Sequence, residues 1–299
     1  MQRPALSLDD PHPARQAETL VAVIGASGRS GRALCRALVQ AGQRVVAVQR
    51  RPSEATEPAA RLADLGDPAA LAAALEGATV VVNTAHARWT SQVLAAAPRH
   101  ARLVLMGSTR RFSRWPDPHG DGVRAGEAAF LASGRPGVML HPTLIYGQEG
   151  EGDVQRLARL LARLPVAPLP GSGRALVQPI YQDDVTRCLL AALSRPWERP
   201  ETLVVAGPEA IAYRDFLRMV AQAAGLRAPR VLGFPAALLG PLARLVARLP
   251  GLPRVTPAQI RRLTEDKAFD ISAMRDRLGV EPIPLRDGLA LTFPRSASA

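Results

Sequence analysis

Three glycines three residues apart, Gly25, Gly28 and Gly31, occupy the stretch VAVIGASGRSGRAL, residues 21–34. An apolar run precedes them and a helix-like pattern follows. This arrangement suits the pyrophosphate of a dinucleotide. The turn needs a residue tolerant of positive φ, the phosphates need a backbone with no Cβ in the way, and the following helix offers unpaired N–H groups and the positive end of its dipole. Ser27, Arg29 and Ser30 line the same loop. A lone glycine triad is a weak signal. Here it opens the first strand–helix unit of a long alternation, which makes it a strong one.

The second apolar run ends VVAVQRR, with Gln49 where an NAD-binding strand would end in a carboxylate for the ribose hydroxyls. Arg50, Arg51 and the loop residue Arg29 suit a 2′-phosphate. The residues therefore favour NADP and leave NAD open; the other reading of Arg50 and Arg51 is a solvated strand end. In ADLGD, residues 63–67, Asp64 either accepts from an adenine amine or serves its own turn.

Positioning these residues takes a sheet. TLVAVIGAS, RVVAVQR, TVVVNTA, RLVLMGST, GVMLHPTLIYG and TLVVAG read as strands, and RSGRALCRALVQAG, DPAALAAALEGA, SQVLAAAPRH and GEAAFLASG as helices between them. Apolar strands alternating with helices predict a Rossmann-type, doubly wound parallel α/β sheet covered on both faces. Residues 1–17 read as a disordered tail without the apolar core of a secretory signal. Residues 18–148 read as the NAD(P)-binding domain. Residues 149–299 read as a smaller, mainly helical substrate lobe, from which about 175–207 return to the Rossmann domain.

The chain has 299 residues and a formal net charge of +12. All of its 38 basic residues except Lys267 are arginine. They are scattered and rarely interleaved with aromatics, which argues against a nucleic-acid partner. Cys35 and Cys188 lie in apolar helical settings and read as core thiols in a reducing compartment. No Cys/His spacing suggests a metal, and no run approaches the ~20 apolar residues of a membrane span. The cytoplasm is the expected location.

Taken in order, GASGRSG, ADLGD, VVVNTA, LVLMGST, HPTLIYG, VQPIYQDDV and FDISAMRDRLGVEPIPLRDGL resemble the extended and atypical short-chain dehydrogenase/reductases, the NAD-dependent epimerase/dehydratase family. VQPIYQDDV looks most like the branch of the NADPH-binding accessory subunit of respiratory complex I. The resemblance places Leu65, Thr84, Ala85, Gly107, Ser108, His141, Pro142 and Thr143 along the cofactor, with Tyr146 at the nicotinamide end. It also implies a Tyr and a Lys four residues later that move the substrate proton, assisted by a Ser or Thr at the end of the preceding strand.

The Ser/Thr position matches Thr109. Counting back from Glu127, a common family acid, puts Val123 at the lysine position and His119 near the tyrosine position. Four residues after Tyr146, Tyr181 and Tyr213 stand Gly150, Val185 and Leu217, so the chain contains no Y-x-x-x-K. An imidazole with an unperturbed pKa of ~6.5 can exchange protons near pH 7; the other reading leaves His119 idle on a loop. Asp183 and Asp184 are expected to cap a helix. The helices VQRLARLLARLP and GPLARLVARLP, with leucines at helical spacing, read as lobe helices, with an apolar substrate, a membrane surface or a protein complex as the alternatives. Two functions follow: a carbonyl/hydroxyl oxidoreductase or epimerase without the Tyr/Lys pair, or a protein that binds NADP(H) without turnover as a structural or redox-sensing partner.

Overall fold

The structure, a computed structural model, describes residues 19–52, 58–115, 117–148, 152–164, 166–235 and 257–294. The expected tail 1–17 and the stretch GPLARLVARLP lie outside the described residues. Seven strands form one sheet: β1 (Leu20–Ile24), β2 (Arg44–Gln49), β3 (Ala60–Leu62), β4 (Val80–Asn83), β5 (Arg102–Met106), β6 (Gly137–Pro142) and β7 (Pro200–Val205). Their order is β3-β2-β1-β4-β5-β6-β7 and every pairing is parallel. Chain direction across the sheet reverses between β1 and β4, and a ligand crevice lies at such a reversal.

The helices are α1 (Arg29–Gln40), α2 (Pro68–Ala74), α3 (Thr90–Ala96), α4 (Pro118–Ala132), α5 (Asp153–Arg163), α6 (Gln182–Ser194), α7 (Tyr213–Ala223), α8 (Pro257–Arg262), α9 (Ser272–Leu278) and α10 (Leu285–Thr292). On β1, Val21 and Val23 pack with α1, α6 and α9 through Leu34, Leu38, Leu189 and Met274. Ala22 and Ile24 pack on the other face with Leu71, Val93 and Phe130 of α2, α3 and α4. A strand buried on both faces has no polar alternation, which is why these runs read as uninterrupted valine and isoleucine.

A second core gathers Tyr146, just after β6, with Val154, Leu161, Phe216, Leu217 and Leu289 of α5, α7 and α10. Short strand pairs stitch this lobe: Ile145–Tyr146 with Ile180–Tyr181, Val166–Pro170 with Arg230–Phe234, and Leu176–Val177 with Ile211–Ala212. In α5 the apolar face, Val154, Ala158 and Leu161, is buried, while Arg156, Arg159 and Arg163 are exposed. Among the described residues no helix is long and apolar enough to cross a membrane.

Two local expectations change. Asp183 and Asp184 lie in the first turn of α6, whose N-cap is Tyr181, and Asp184 also reaches beyond the helix. It is buried, and its carboxylate accepts from the Ile283 N–H (2.8 Å) and pairs with Arg187 (2.8 Å), tying α6 to the chain before α10. And α4 begins at Pro118, earlier than GEAAFLASG suggests, because Asp117 caps it and Pro118 takes the first helical position, where a missing N–H costs nothing.

Candidate active site

The glycine loop leaves β1 at the chain reversal. Gly25 has φ +77, and a Cβ there would stand 2.8 Å from the Ala85 amide nitrogen. The Thr84 hydroxyl donates to the Ile24 carbonyl (2.8 Å), pinning the turn from β4. A Cβ at Gly31 would overlap the Gly25 carbonyl, so α1 can press against the loop only with glycine there. Gly28 precedes α1 with no side-chain cap, which leaves the first N–H groups of the helix available to an anion. Asn83 Nδ2 and Thr143 Oγ1, at the same edge of the sheet, are buried with no hydrogen-bond partner among the described residues. This is a cradle of amides without side chains, and it fits a dinucleotide.

Gln49 is buried at the end of β2, and Arg50 and Arg51 stand exposed beyond it. Arg29 is separated from them. Its guanidinium donates to the Ile145 carbonyl at 3.4 Å, on the flank of β1 opposite β2. Ser30 Oγ donates to Gln182 Oε1 (3.0 Å), and Ser27 is exposed on the loop. Exposed Asp64 accepts from the Gly66 amide (2.8 Å) in its own turn, and Leu65 packs on the α2 face of the core.

At the other end of the crevice, β5 runs into Gly107, Ser108 and a 3-10 turn, Thr109–Phe112. His141 lies beneath, only 1% exposed. Its Nδ1 accepts from the Ser108 amide (3.1 Å), which leaves the proton on Nε2, 3.6 Å from the Glu127 carboxylate. Burial and the charge of Arg111 push His141 down to about 4. Glu127 is paired with Arg111, and its burial raises its pKa. A Cβ at Gly107 would overlap the His141 ring. His141 therefore shapes the loop 107–109 from below. Thr109 Oγ1 donates to the Pro142 carbonyl (3.2 Å) and keeps its lone pairs for another donor.

His119 stands on the first turn of α4, half-buried, and not on a loop. Asp117 Oδ1 accepts from the His119 and Gly120 amides (2.9 and 3.1 Å). Its ring meets His86 edge-on, with centroids 4.2 Å apart and planes at 75°. His86 is a residue that sequence reasoning missed. Its Nδ1 accepts from the Arg88 amide (3.0 Å). Three glycines of α4 allow this approach: a Cβ at Gly120 would lie 2.9 Å from the Arg110 carbonyl, one at Gly122 3.0 Å from His86 Cε1, and one at Gly126 would overlap the Ala87 carbonyl. Burial, then Arg110, pushes His119 down to about 4, with Asp117 opposing, so it is a neutral imidazole at pH 7.

The second lobe clamps this corner. Asp117 Oδ2 bridges Arg110 (3.1 Å) and Arg262 (3.0 Å), and Glu265 accepts from Ser113 Oγ (2.8 Å) and the Arg114 amide (2.7 Å). The three tyrosines sit elsewhere. Tyr146, expected at the nicotinamide end, is 1% exposed in the second core, its hydroxyl on the Leu285 carbonyl, with its pKa raised by burial. Tyr181 packs against it, and Tyr213 flanks the same core. Val123 is buried, and Lys267 Nζ donates to the Arg262 carbonyl (2.6 Å).

Residues 25–132 match the NAD(P)H-binding family model. The chain is 29% identical over 265 residues, 88% of its length, to an uncharacterized protein of Mycobacterium tuberculosis, but spans only 28% of that protein. It is 29% identical over 244 residues to the ceramide reductase of Caulobacter vibrioides, covering 74% of this chain and 75% of that one. The UDP-glucuronic acid 4-epimerase of Bacillus cereus, solved with UDP-glucuronic acid and NAD, superposes with a TM-score of 0.69 at 18% identity over 92% of this chain and 98% of that one. The fold and the glycine loop together define an NAD(P)H-binding protein. The family model covers the stretch from the glycine loop to the end of α4, and the chain shares its fold with solved epimerases and dehydratases over 91–92% of its length.

Proposed function

We propose that this protein is an NADP(H)-dependent oxidoreductase acting on a carbonyl/hydroxyl substrate, with His119 and Thr109 in place of a Tyr/Lys pair. The observation that carries this reading is the half-buried His119, set against His86 on a helix pinned to the Thr109 turn, in a chain whose tyrosines are all engaged elsewhere. The glycine loop and the N-terminus of α1 hold the pyrophosphate. Arg50 and Arg51 meet the 2′-phosphate, and Thr84, Ala85, Gly107, Ser108, Pro142 and Thr143 follow the cofactor toward the nicotinamide. The bound cofactor supplies hydride exchange at its nicotinamide ring.

Thr109 turns its hydroxyl proton from the Pro142 carbonyl to the substrate oxygen and orients it, which leaves the substrate's own proton to His119. His119, neutral at pH 7, accepts that hydroxyl's proton and returns it in the reverse direction. A base that titrates at about 4 leaves alcohol oxidation independent of pH through neutrality, while carbonyl reduction gains from acid as the imidazolium becomes populated. The ceramide reductase relative makes long-chain apolar ketones and alcohols the first substrates to try.

A second reading, NADP(H) binding without turnover in a structural or redox-sensing role, draws on buried Val123 at the lysine position and on the low basicity of His119. NADPH oxidation against a panel of long-chain, aromatic and quinone carbonyls separates the two. Turnover that disappears in His119→Asn establishes the first. Tight NADPH binding with no turnover on any carbonyl establishes the second.

A further inference from the structure

We propose that Arg110 is a catalytic residue of this site, its guanidinium bound to the substrate oxygen and supplying the positive charge that a lysine would otherwise bring. This rests on the reading of the Thr109–His119 corner as the place where a carbonyl or hydroxyl is handled.

Removing the proton of an alcohol concentrates negative charge on its oxygen, and a fixed cation there lowers the barrier. At the lysine position stands Val123, 1% exposed and uncharged. Lys267 spends its ammonium on the Arg262 carbonyl. Arg110 is the residue directly after Thr109. Its amide donates to Ser108 Oγ (3.2 Å), and its carbonyl lies against Gly120, one residue past His119.

One carboxylate organises both groups. Asp117 Oδ2 holds Arg110 Nη2 at 3.1 Å while Oδ1 holds the His119 amide at 2.9 Å. The guanidinium of Arg110 and the backbone of His119 thus share an anchor. Arg110 Nε is buried and finds no hydrogen-bond acceptor among the described residues. About a third of the Arg110 side chain (35%) is nonetheless exposed, so the guanidinium is open to an oxygen anion on that side.

The surrounding charges agree. His119 is faced by Arg110, Arg262, Asp117 and His86, with Arg124 and Asp121 paired on its own helix and Arg88 beside His86. Arg110 is the charge that acts most on His119, and it acts on His86 as well. Asp117 is shared between two arginines, so the corner keeps an excess of positive charge. In alcohol oxidation the O–H proton passes to the His119 imidazole, and the electron pair left on oxygen lies against the guanidinium. In carbonyl reduction the same oxygen takes that proton back.

The test compares the full chain with Arg110→Gln and Arg110→Ala. With a substrate from the carbonyl panel, Arg110→Gln should lose about 100-fold in kcat with an unchanged NADPH Kd and circular dichroism spectrum, since Arg262 still holds Asp117. Added guanidinium chloride should restore part of the Arg110→Ala activity, which a merely structural role would not allow. A second arm needs no turnover. Acetate is titrated into the NADP⁺-bound protein and followed by the imidazole NMR signal of His119. Wild type should bind acetate, and Arg110→Gln should bind it at least about 10-fold more weakly. If no carbonyl is turned over, the oxidoreductase reading fails and the acetate arm still decides on Arg110. A kcat within about twofold of wild type in Arg110→Gln, acetate binding equal in both proteins, or no acetate binding to wild type overturns the proposal.

Discussion

The two ends of the crevice are built in opposite ways. At the glycine loop nearly everything is backbone. Gly25 turns through positive φ, Gly31 lets α1 close on the loop, and the first amides of the helix have no side-chain cap. All of it comes from a dozen consecutive residues, with Thr84 as an outside brace. At the other end nearly everything is side chain. His119, His86, Arg110 and Thr109 depend on Asp117, Glu127, His141, Arg262 and Glu265, and together these residues come from five separate stretches of chain. A backbone site needs only that nothing obstruct it. A side-chain site needs each member held by a partner, and many of those partners lie far off in sequence.

That contrast predicts different failures. The largest concerns the loop. Gly31→Leu forces α1 off the Gly25 carbonyl and should weaken NADPH binding by about 1,000-fold, roughly 4 kcal/mol, in calorimetry. A loop variant that still binds tightly would erase the distinction.

Next comes acid. Folded His141 titrates at about 4 against ~6.5 in the unfolded chain, so the unfolded state takes up the proton first. The His141 contribution to stability is complete above about pH 6.5 and is lost as the pH drops toward 4, about 3 kcal/mol, with His119 acting in the same direction. Chemical denaturation at stepped pH reads this directly.

His119→Asn should lower kcat by about 100-fold and leave the NADPH Kd alone, because His119 serves the side-chain end only. Asp117→Ala removes a helix cap and the bridge between Arg110 and Arg262. It should cost about 2 kcal/mol in thermal unfolding, again with cofactor affinity preserved. The smallest effect is a change of preference: Arg50→Ser with Arg51→Ser should reduce discrimination for NADPH over NADH by about 10-fold, measured as the ratio of the two Kd values.

The same contrast explains what could be read from the chain. The strands were legible because both faces of the sheet are covered, so each appears as a continuous apolar run. Strand β3, three residues at the sheet edge with little burial, carries no such pattern. The start of α4 was written as Asp117-Pro118, a cap followed by a proline, yet Trp115 and the prolines around it read as loop. His119 could be counted to from Glu127. His86 could not, because only the close packing of α4 at Gly120, Gly122 and Gly126 brings it to His119. Tyr146 looked like a cofactor neighbour and is instead a core residue, since α10 closes over it through Gly288.

The order of residues alone determined that a dinucleotide-binding sheet would form and that the chain holds no Y-x-x-x-K. Both are local facts: the first follows from backbone sterics and burial periodicity, the second from which residues stand four apart. Folding alone decided which charges surround His119. A guanidinium and an imidazole influence each other through space and burial, and the carboxylate between them, Asp117, is also held by an arginine 145 residues further along the chain.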